Sequence, residues 1–388
     1  MSDTRLHAGQ IHVGIPLPFD TFDEQGKLLL RQGFVIDDPQ QLVRLLQRGL
    51  FQEAAPGKAA SGSAGAVGGG GGGGGHHAVR VSVIDLLVQV QARLELLLLE
   101  DAPADFPARL QALAEQLQHG VSLDSDAAIA SIQMCHAGRY STRRMVHGAI
   151  LAELLLRESG EDDAQRRTAI CAALSMNIAM LELQDELYLQ AAAPSPEQRE
   201  QVRCHPAAGV RRLQALDVSD ARWLAIVGQH HETIDGKGYP AALQGTDICR
   251  AAQVLSLADR YGAMATGRAY RAAALPNTVL RQLFKDKDKC VDAGLAALLV
   301  KAIGIYPPGS LVGLANGDTA VVVKRTKSAN HPVVRCVKTN RNEILQTPRK
   351  RLTSEPAYAI TRMIPMAGLG FEVDPNQLWD EGLEGGSA

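Results

Sequence analysis

The run His230-His231-Glu232-Thr233-Ile234-Asp235-Gly236-Lys237-Gly238-Tyr239-Pro240 concentrates the chemistry of this chain. Two adjacent histidines and a carboxylate at a helix end can offer imidazole nitrogens to a divalent metal. Two glycines and a proline then fix a tight, unusual loop. A lone His-His pair is a weak sign, so the elements around it matter. The six cysteines (Cys135, Cys171, Cys204, Cys249, Cys290 and Cys336) are widely spaced and form no CxxC pair. That argues against a cysteine zinc site or a disulfide framework and for reduced, mostly buried thiols. His76 and His77 follow a glycine tract, where a histidine pair carries little weight as a metal site.

The chain must be long enough to hold such a site in a core. It has 388 residues, enough for about two or three domains. Hydrophobic residues make up 46%, which excludes a wholly disordered chain. The net charge of −2 and an aromatic content of 4% argue against DNA or RNA as a partner. No aliphatic run, Leu96 to Leu99 included, approaches the ~20 apolar residues of a membrane span. The polar start, MSDTRLHAGQ, lacks a signal core, so the expected location is cytoplasmic.

Along the chain, residues 1–53 read as a small α+β unit. Two extended stretches, Ile11 to Phe22 and Lys27 to Ile36, flank the turn Asp23-Glu24-Gln25-Gly26, and Pro39 to Leu50 has helical spacing. Residues 54–78 read as a disordered Gly/Ala/Ser linker with eight consecutive glycines, Gly68 to Gly75. Residues 79–123 are expected to form a helical connector. In it Val83, Leu87, Val90 and Leu94 recur at spacings of three and four, for core packing or for a dimer helix. From 124 to 306 the pattern is helix after helix. A small β appendix follows over 307–350, with Asn316-Gly317 as a hairpin signal between Leu311–Leu314 and Thr319–Lys324, and Val333 to Lys338 as a further strand. Residues 351–388 read as a tail. The fold class is mainly α.

The string from His230 to Pro240 matches the signature HHExxDGxGYP at all eight fixed positions. The chain therefore resembles the HD-GYP family of bacterial signalling proteins, an all-α branch of the HD phosphohydrolases. Val202-Arg203-Cys204-His205-Pro206 with Gly209 is similar to the family's KxHP-xxG element. Leu257 to Met264 with Arg268-Ala269-Tyr270-Arg271 is similar to its aDxyDAlxxxRxYR element. Ile303 to Gly309 is similar to its closing segment. The resemblance implies a two- or three-metal site that hydrolyses cyclic-di-GMP. It assigns His205, His230 and His231 mainly to one metal position and Asp259 to another. It places Arg268 and Arg271 facing nucleotide phosphates, one turn apart if their segment is helical, with a surface ion pair as the alternative. It also implies contacts of Gly236-Lys237-Gly238-Tyr239-Pro240 with GGDEF-type cyclase domains, and a nucleotide contact for Tyr239.

The departures bear on activity. The namesake HDxGK element is replaced by Met176-Asn177-Ile178-Ala179-Met180. Arg144 stands where the family has a metal-binding histidine, and Gly262 where it has the second aspartate of its DxyDA element. The neutral amide of Asn177 is a poor bridge between two cations, and the thioether of Met176 is soft for iron, manganese or magnesium. Arg144 puts a fixed positive charge where a cation belongs, and Met180 removes an ammonium from the phosphate. Two-metal hydrolysis needs both ions, and single electrostatic contacts are worth about 100–1000-fold in rate.

The expectation is thus a degenerate member, inactive as a hydrolase, that serves as a ligand-responsive or protein-docking module. The cofactor expectation is none, or one residual divalent ion (Zn, Fe or Mn) on His205, His230, His231 and Asp259. The alternative is a weak phosphodiesterase using that ion. Cyclic-di-GMP, a GGDEF-domain or other signalling protein, and a second copy of the chain are the expected partners.

Overall fold

A computed structural model describes residues 4–5, 21–22, 28–31, 51–52, 82–269, 271–286, 290 and 292–379. The chain divides into two units, 1–81 and 82–388.

Among the described residues of the first unit, four short strands form an antiparallel sheet: β1 (Thr4–Arg5), β2 (Thr21–Phe22), β3 (Leu28–Leu30) and β4 (Phe51–Gln52), in the order β1-β4-β2-β3. The β2–β3 pair is the expected hairpin. The helix expected over Pro39 to Leu50 and the linker over 54–78 lie outside the described residues.

Among the described residues, the second unit begins with eleven α-helices. They are α1 (Val83–Leu99), α2 (Phe106–Leu123), α3 (Ser125–Met134), α4 (Tyr140–Glu158), α5 (Asp163–Ser175), α6 (Leu181–Leu189), α7 (Pro196–Ala215), α8 (Ala221–Gln229), α9 (Arg250–Ala265), α10 (Pro276–Lys285) and α11 (Ala293–Ile303). Their starts follow from local chemistry. Asp124, Asp162 and Asp220 accept first-turn backbone N–H groups of α3, α5 and α8. Ser195 and Gln198 form a reciprocal capping box on α7.

The helices share one core. Leu87, Val90, Leu94, Leu110 and Leu117 from α1 and α2 join Ile150, Leu151, Ile170, Ile226 and Leu257 in it. The stretch 79–123, expected as a connector, is therefore part of the helical domain from Val83 onward. Among the helices, α4 is central. Every residue from Tyr140 to Leu156 is buried, including Arg143, Arg144, His147 and Glu153.

After α11 come β5 (Leu311–Leu314), β6 (Thr319–Lys324), β7 (Val333–Lys338), β8 (Ile344–Leu352) and β9 (Ile360–Ile364), then the short α12 (Pro375–Trp379). The antiparallel sheet runs β8-β7-β6-β5-β9. Gly317, at φ +89°, supplies the positive φ that the β5–β6 turn requires. The boundary drawn at 350 cuts β8, and the stretch read as a tail supplies β9, which pairs with β5. The physical reason is that β5 is buried along its whole length and needs a partner on each side. Arg325 ties the sheet to the helices by donating to Asp126, to the Ala302 carbonyl and to Ser125 Oγ. Among the described residues, no helix is long and apolar enough to cross a membrane.

Candidate metal and nucleotide site

The site begins with a proline. His205 and Pro206 lie inside α7. Proline has no N–H, so the Val202 carbonyl, four residues earlier, lacks its helical donor. His205 Nδ1 takes that carbonyl at 2.6 Å. The same device recurs at the end of α8. The helix stops at Gln229, and the Val227 carbonyl accepts from His230 Nδ1 at 2.7 Å. A carbonyl oxygen only accepts, so each Nδ1 carries the proton and each Nε2 holds its lone pair inward.

The two Nε2 atoms face each other at 3.2 Å. Both rings are buried, and burial is the main reason that both titrate below the ordinary histidine range, His205 pushed down to about 3. Two neutral acceptors in such proximity call for a shared cation. His231, held well below its ordinary range by burial, completes the group. One nitrogen from each of His205, His230 and His231 lies within 4.8 Å of the others. Three neutral imidazoles suit one divalent ion with an open position, so this donor set fits a metal.

The loop that follows closes on itself. The Glu232 carboxylate accepts from Ala241 N–H (2.6 Å) and Leu243 N–H (3.0 Å), which commits it to the backbone rather than to a metal. Asp235 accepts from Thr233 Oγ1 at 2.7 Å and from Lys237 N–H at 3.2 Å. A Cβ on Gly238 would sit 2.5 Å from Glu232 Cα, so only glycine fits. Tyr239 lies over the histidines, stacked on His231 with centroids 4.8 Å apart, and Arg203 approaches its ring at 5.9 Å. Lys237 and Pro240 are exposed at the loop surface.

The opposite wall is built differently. Arg144 pairs with Asp259 through its guanidinium, which also donates to the Asp259 carbonyl at 2.9 Å. Asp259 is not one of the groups whose ligand atoms cluster with the three histidines, yet its charge acts on both His205 and His230. Arg144 has room because residue 262 is glycine: a Cβ there would lie 3.2 Å from Arg144 Nη1. Met176 is fully buried, its methyl 3.5 Å from where a Cβ of Gly148 would lie. Asn177 is buried with Oδ1 unpartnered, and Met180 is half-buried in the turn before α6.

Arg268 and Arg271 are not one helical turn apart. Helix α9 ends at Ala265, and the two residues form an antiparallel bridge. Arg271 donates to the Thr266 carbonyl at 3.4 Å and to that of Ala263, so part of its guanidinium closes this turn.

Sequence reasoning passed over Tyr140, Gln184, Tyr188 and His147. Tyr140 stacks on Tyr188 with centroids 4.2 Å apart, and Arg144 lies 5.9 Å from the Tyr140 ring. The available signal was spacing: Tyr140 precedes Arg144 by one helical turn. Asp185 locks α6 to the start of α4, accepting from Ser141 N–H and from Arg139 Nε, both at 2.7 Å.

Residues 112–295 match the HD domain family model. The chain is 28% identical to cyclic di-GMP phosphodiesterase PA4108 of Pseudomonas aeruginosa, over 56% of this chain and 62% of that protein. It is 24% identical to cyclic di-GMP phosphodiesterase PdeB of Borreliella burgdorferi, over 57% and 58%. It thus spans about six tenths of the length of these curated relatives. Among solved structures, Bd1817, a HDG"Y"P protein from Bdellovibrio bacteriovorus, superposes with a TM-score of 0.56 at 14% identity, covering 77% of this chain and 99% of that one. That likeness is one of fold. The family match, the relatives and the signature from His230 to Pro240 agree: residues 112–295 of this chain carry an HD domain, similar to that of the HD-GYP phosphodiesterases.

Proposed function

We propose that this chain is a cyclic-di-GMP signalling module whose HD-GYP domain has given up hydrolysis and kept recognition. The observation that carries this reading is the Arg144–Asp259 pair. The cationic guanidinium sits on the one carboxylate expected to serve a second metal. A second cation there would meet like charge in a buried setting, where unscreened repulsion is strong. With Asn177 and Met180 in place of an aspartate and a lysine, the bridging carboxylate and the ammonium for the phosphate are gone as well.

The remaining half of the site fits one ion. When bound, such an ion would supply Lewis acidity to a phosphate oxygen. His205, His230 and His231 would hold it, with the Val202 and Val227 carbonyls fixing two of the rings. Tyr239 covers the histidines and limits the access of water. The exposed tip at Lys237 and Pro240 is the surface offered to a GGDEF-type or other signalling partner.

The facing imidazoles also favour a second reading, a slow phosphodiesterase using a single ion. Turnover decides between the two. Purified protein is incubated with cyclic-di-GMP and manganese or ferrous iron, and products are separated by chromatography. The expected result is no linear product above a His230→Ala/His231→Ala control. Product formed by the unmodified protein and lost in that control would overturn the proposal in favour of the single-ion enzyme.

A further inference from the structure

Charge is unevenly spread along this chain. Residues 324–351 hold nine lysines and arginines against one acidic residue, Glu343, although the net charge of the whole is −2. They lie on β6, β7, β8 and the turns between them. Among the described residues Arg325 pairs with Asp126, whereas Lys324, Lys327, Lys338, Arg341 and Arg349 form no ion pair. The outermost strand on this side of the sheet is β8. An edge strand is a ready template for another chain, and natural proteins charge it or cover it.

Strand register fixes which face these charges occupy. Leu311 is opposite Val321, Val321 opposite Arg335, and Arg335 opposite Lys350. Directly paired residues share a face, so this row runs from an apolar middle to a basic margin. Val333 lies opposite Leu352 on the same face. Arg335 is buried and donates to the Pro348 carbonyl at 3.4 Å, while Lys350 and Leu352 are exposed. Helix α12 covers the apolar part of the row: Leu378 and Trp379 pack with Leu311, Val321 and Val337, and the helix lies against β6 and β8. Trp379 therefore stands close to the basic margin. The sequence continues Asp380-Glu381-Gly382-Leu383-Glu384, outside the described residues. Two residues of chain span at most about 7 Å, so Asp380 and Glu381 are tethered to that margin. Glu381 and Leu383 are two apart, as Lys350 and Leu352 are, and extended chain presents such a pair on one side.

We infer that residues 380–384 dock on this margin of the sheet, the Asp380 and Glu381 carboxylates against Arg335 and Lys350, and Leu383 over Leu352. The basic end of the sheet is thus a docking surface for an acidic segment bearing a leucine, and its occupant is this chain's own. An isolated surface ion pair contributes little. Here neighbouring cations add their field, and the tether gives the segment a high effective concentration. The docked segment would also shield β8 from pairing with a second sheet. The surface is separate from the histidine group and from the function proposed for it.

Carbodiimide cross-linking of the full chain at low ionic strength tests this, since the reagent joins a lysine amine to a carboxylate in contact with it. Products are read by mass spectrometry of tryptic peptides. Lys301 and Glu158, 2.9 Å apart on the packed helices α11 and α4, serve as the internal control. The expected product joins Lys350 to Asp380 or Glu381. Its yield relative to the control should fall at least about fivefold in 1 M salt, where the screening length is about 3 Å. Lys350→Glu should abolish it, and Lys350→Glu combined with Asp380→Lys/Glu381→Lys should restore a link between the same positions. In a mixture of isotope-labelled and unlabelled chains, both linked peptides should carry the same label. Products of mixed label would assign the surface to a second copy of the chain and overturn the proposal. So would the absence of the product beside an intact control, which would leave the surface to a foreign anion. A yield indifferent to salt, or no restoration by the exchanged charges, would equally overturn it.

Discussion

His205 and Arg144 look onto one site from two walls that have taken different courses. On the wall formed by α7, α8 and the following loop, each functional side chain is fixed by its own backbone. A proline frees the Val202 carbonyl for His205, a helix end frees the Val227 carbonyl for His230, and Glu232 laces the loop shut. On the wall formed by α4, the turn at Met176 and α6, side chains are fixed by one another. Arg144 leans on Asp259 and fills the space beside Gly262, while Tyr140 stacks on Tyr188. Ligands oriented by backbone also serve the fold, since losing one would orphan a carbonyl. Side chains held chiefly by one another, as Arg144 and Asp259 are, have no such second role.

The largest effect should come from breaking the second wall. Arg144→Ala would leave the carboxylate of Asp259, mostly buried, without its counter-charge. Removing one partner of a buried pair costs about 3–5 kcal/mol. Urea melts of Arg144→Ala and of Arg144→Ala/Asp259→Asn measure it, and the double variant should recover much of the loss. A loss below about 1 kcal/mol in the single variant would mean that Asp259 is held by something other than Arg144. The first wall breaks at Gly238. A Cβ 2.5 Å from both Glu232 Cα and Thr233 N has backbone on the other side, so it cannot be relieved by a rotamer change. Gly238→Ala should cost at least about 2 kcal/mol and lower the affinity of the histidine group for added zinc. An unchanged zinc titration would separate the loop from the metal site.

The contrast between the walls also explains what could be read from the chain alone. The strands Leu311–Leu314, Thr319–Lys324 and Val333–Lys338 were legible to the residue, because Asn316-Gly317 marks the turn between the first two and the second and third are rich in valine. The histidine group was legible because its geometry is written locally, in His-Pro and in a helix end. The strand Ile360–Ile364 was not, since it exists by pairing with β5 across a long stretch of chain. Nor was the turn that pairs Arg268 with Arg271, which depends on where α9 stops. The cationic role of Arg144 was visible as a charge. Its partner Asp259, 115 residues away in the chain, was not.

A smaller effect distinguishes the charge environments of the walls. His147 is fully buried on α4 and faces Arg143, Arg144 and His136. Burial first, and those charges next, hold it well below its ordinary titration range. The unfolded chain therefore takes up a proton near pH 6.5 that the folded chain refuses, and stability falls as the pH drops through that value. The slope is about 1.4 kcal/mol per pH unit for this one group until its folded titration range is reached. Urea melts between pH 6 and 5 should show His147→Gln flatter than the unmodified protein by about that amount. Parallel slopes would place the acid sensitivity elsewhere, first in His205, His230 and His231.

The smallest effect on the fold is expected at Lys237. Its side chain is 84% exposed and reaches Asp235 at 3.6 Å, an ion pair too solvated to matter for stability. The loop around it is held by Glu232, by Gly238 and by the Asp235 carboxylate accepting from the Lys237 backbone, none of which needs the ammonium. Lys237→Ala should leave the melting temperature and the zinc titration unchanged. What it should change is association with a signalling partner, because a charge at a loop tip acts mainly on encounter and register. A fall in melting temperature would show that the ammonium serves the loop itself. The tip would then be part of the scaffold of the first wall rather than the surface that wall presents.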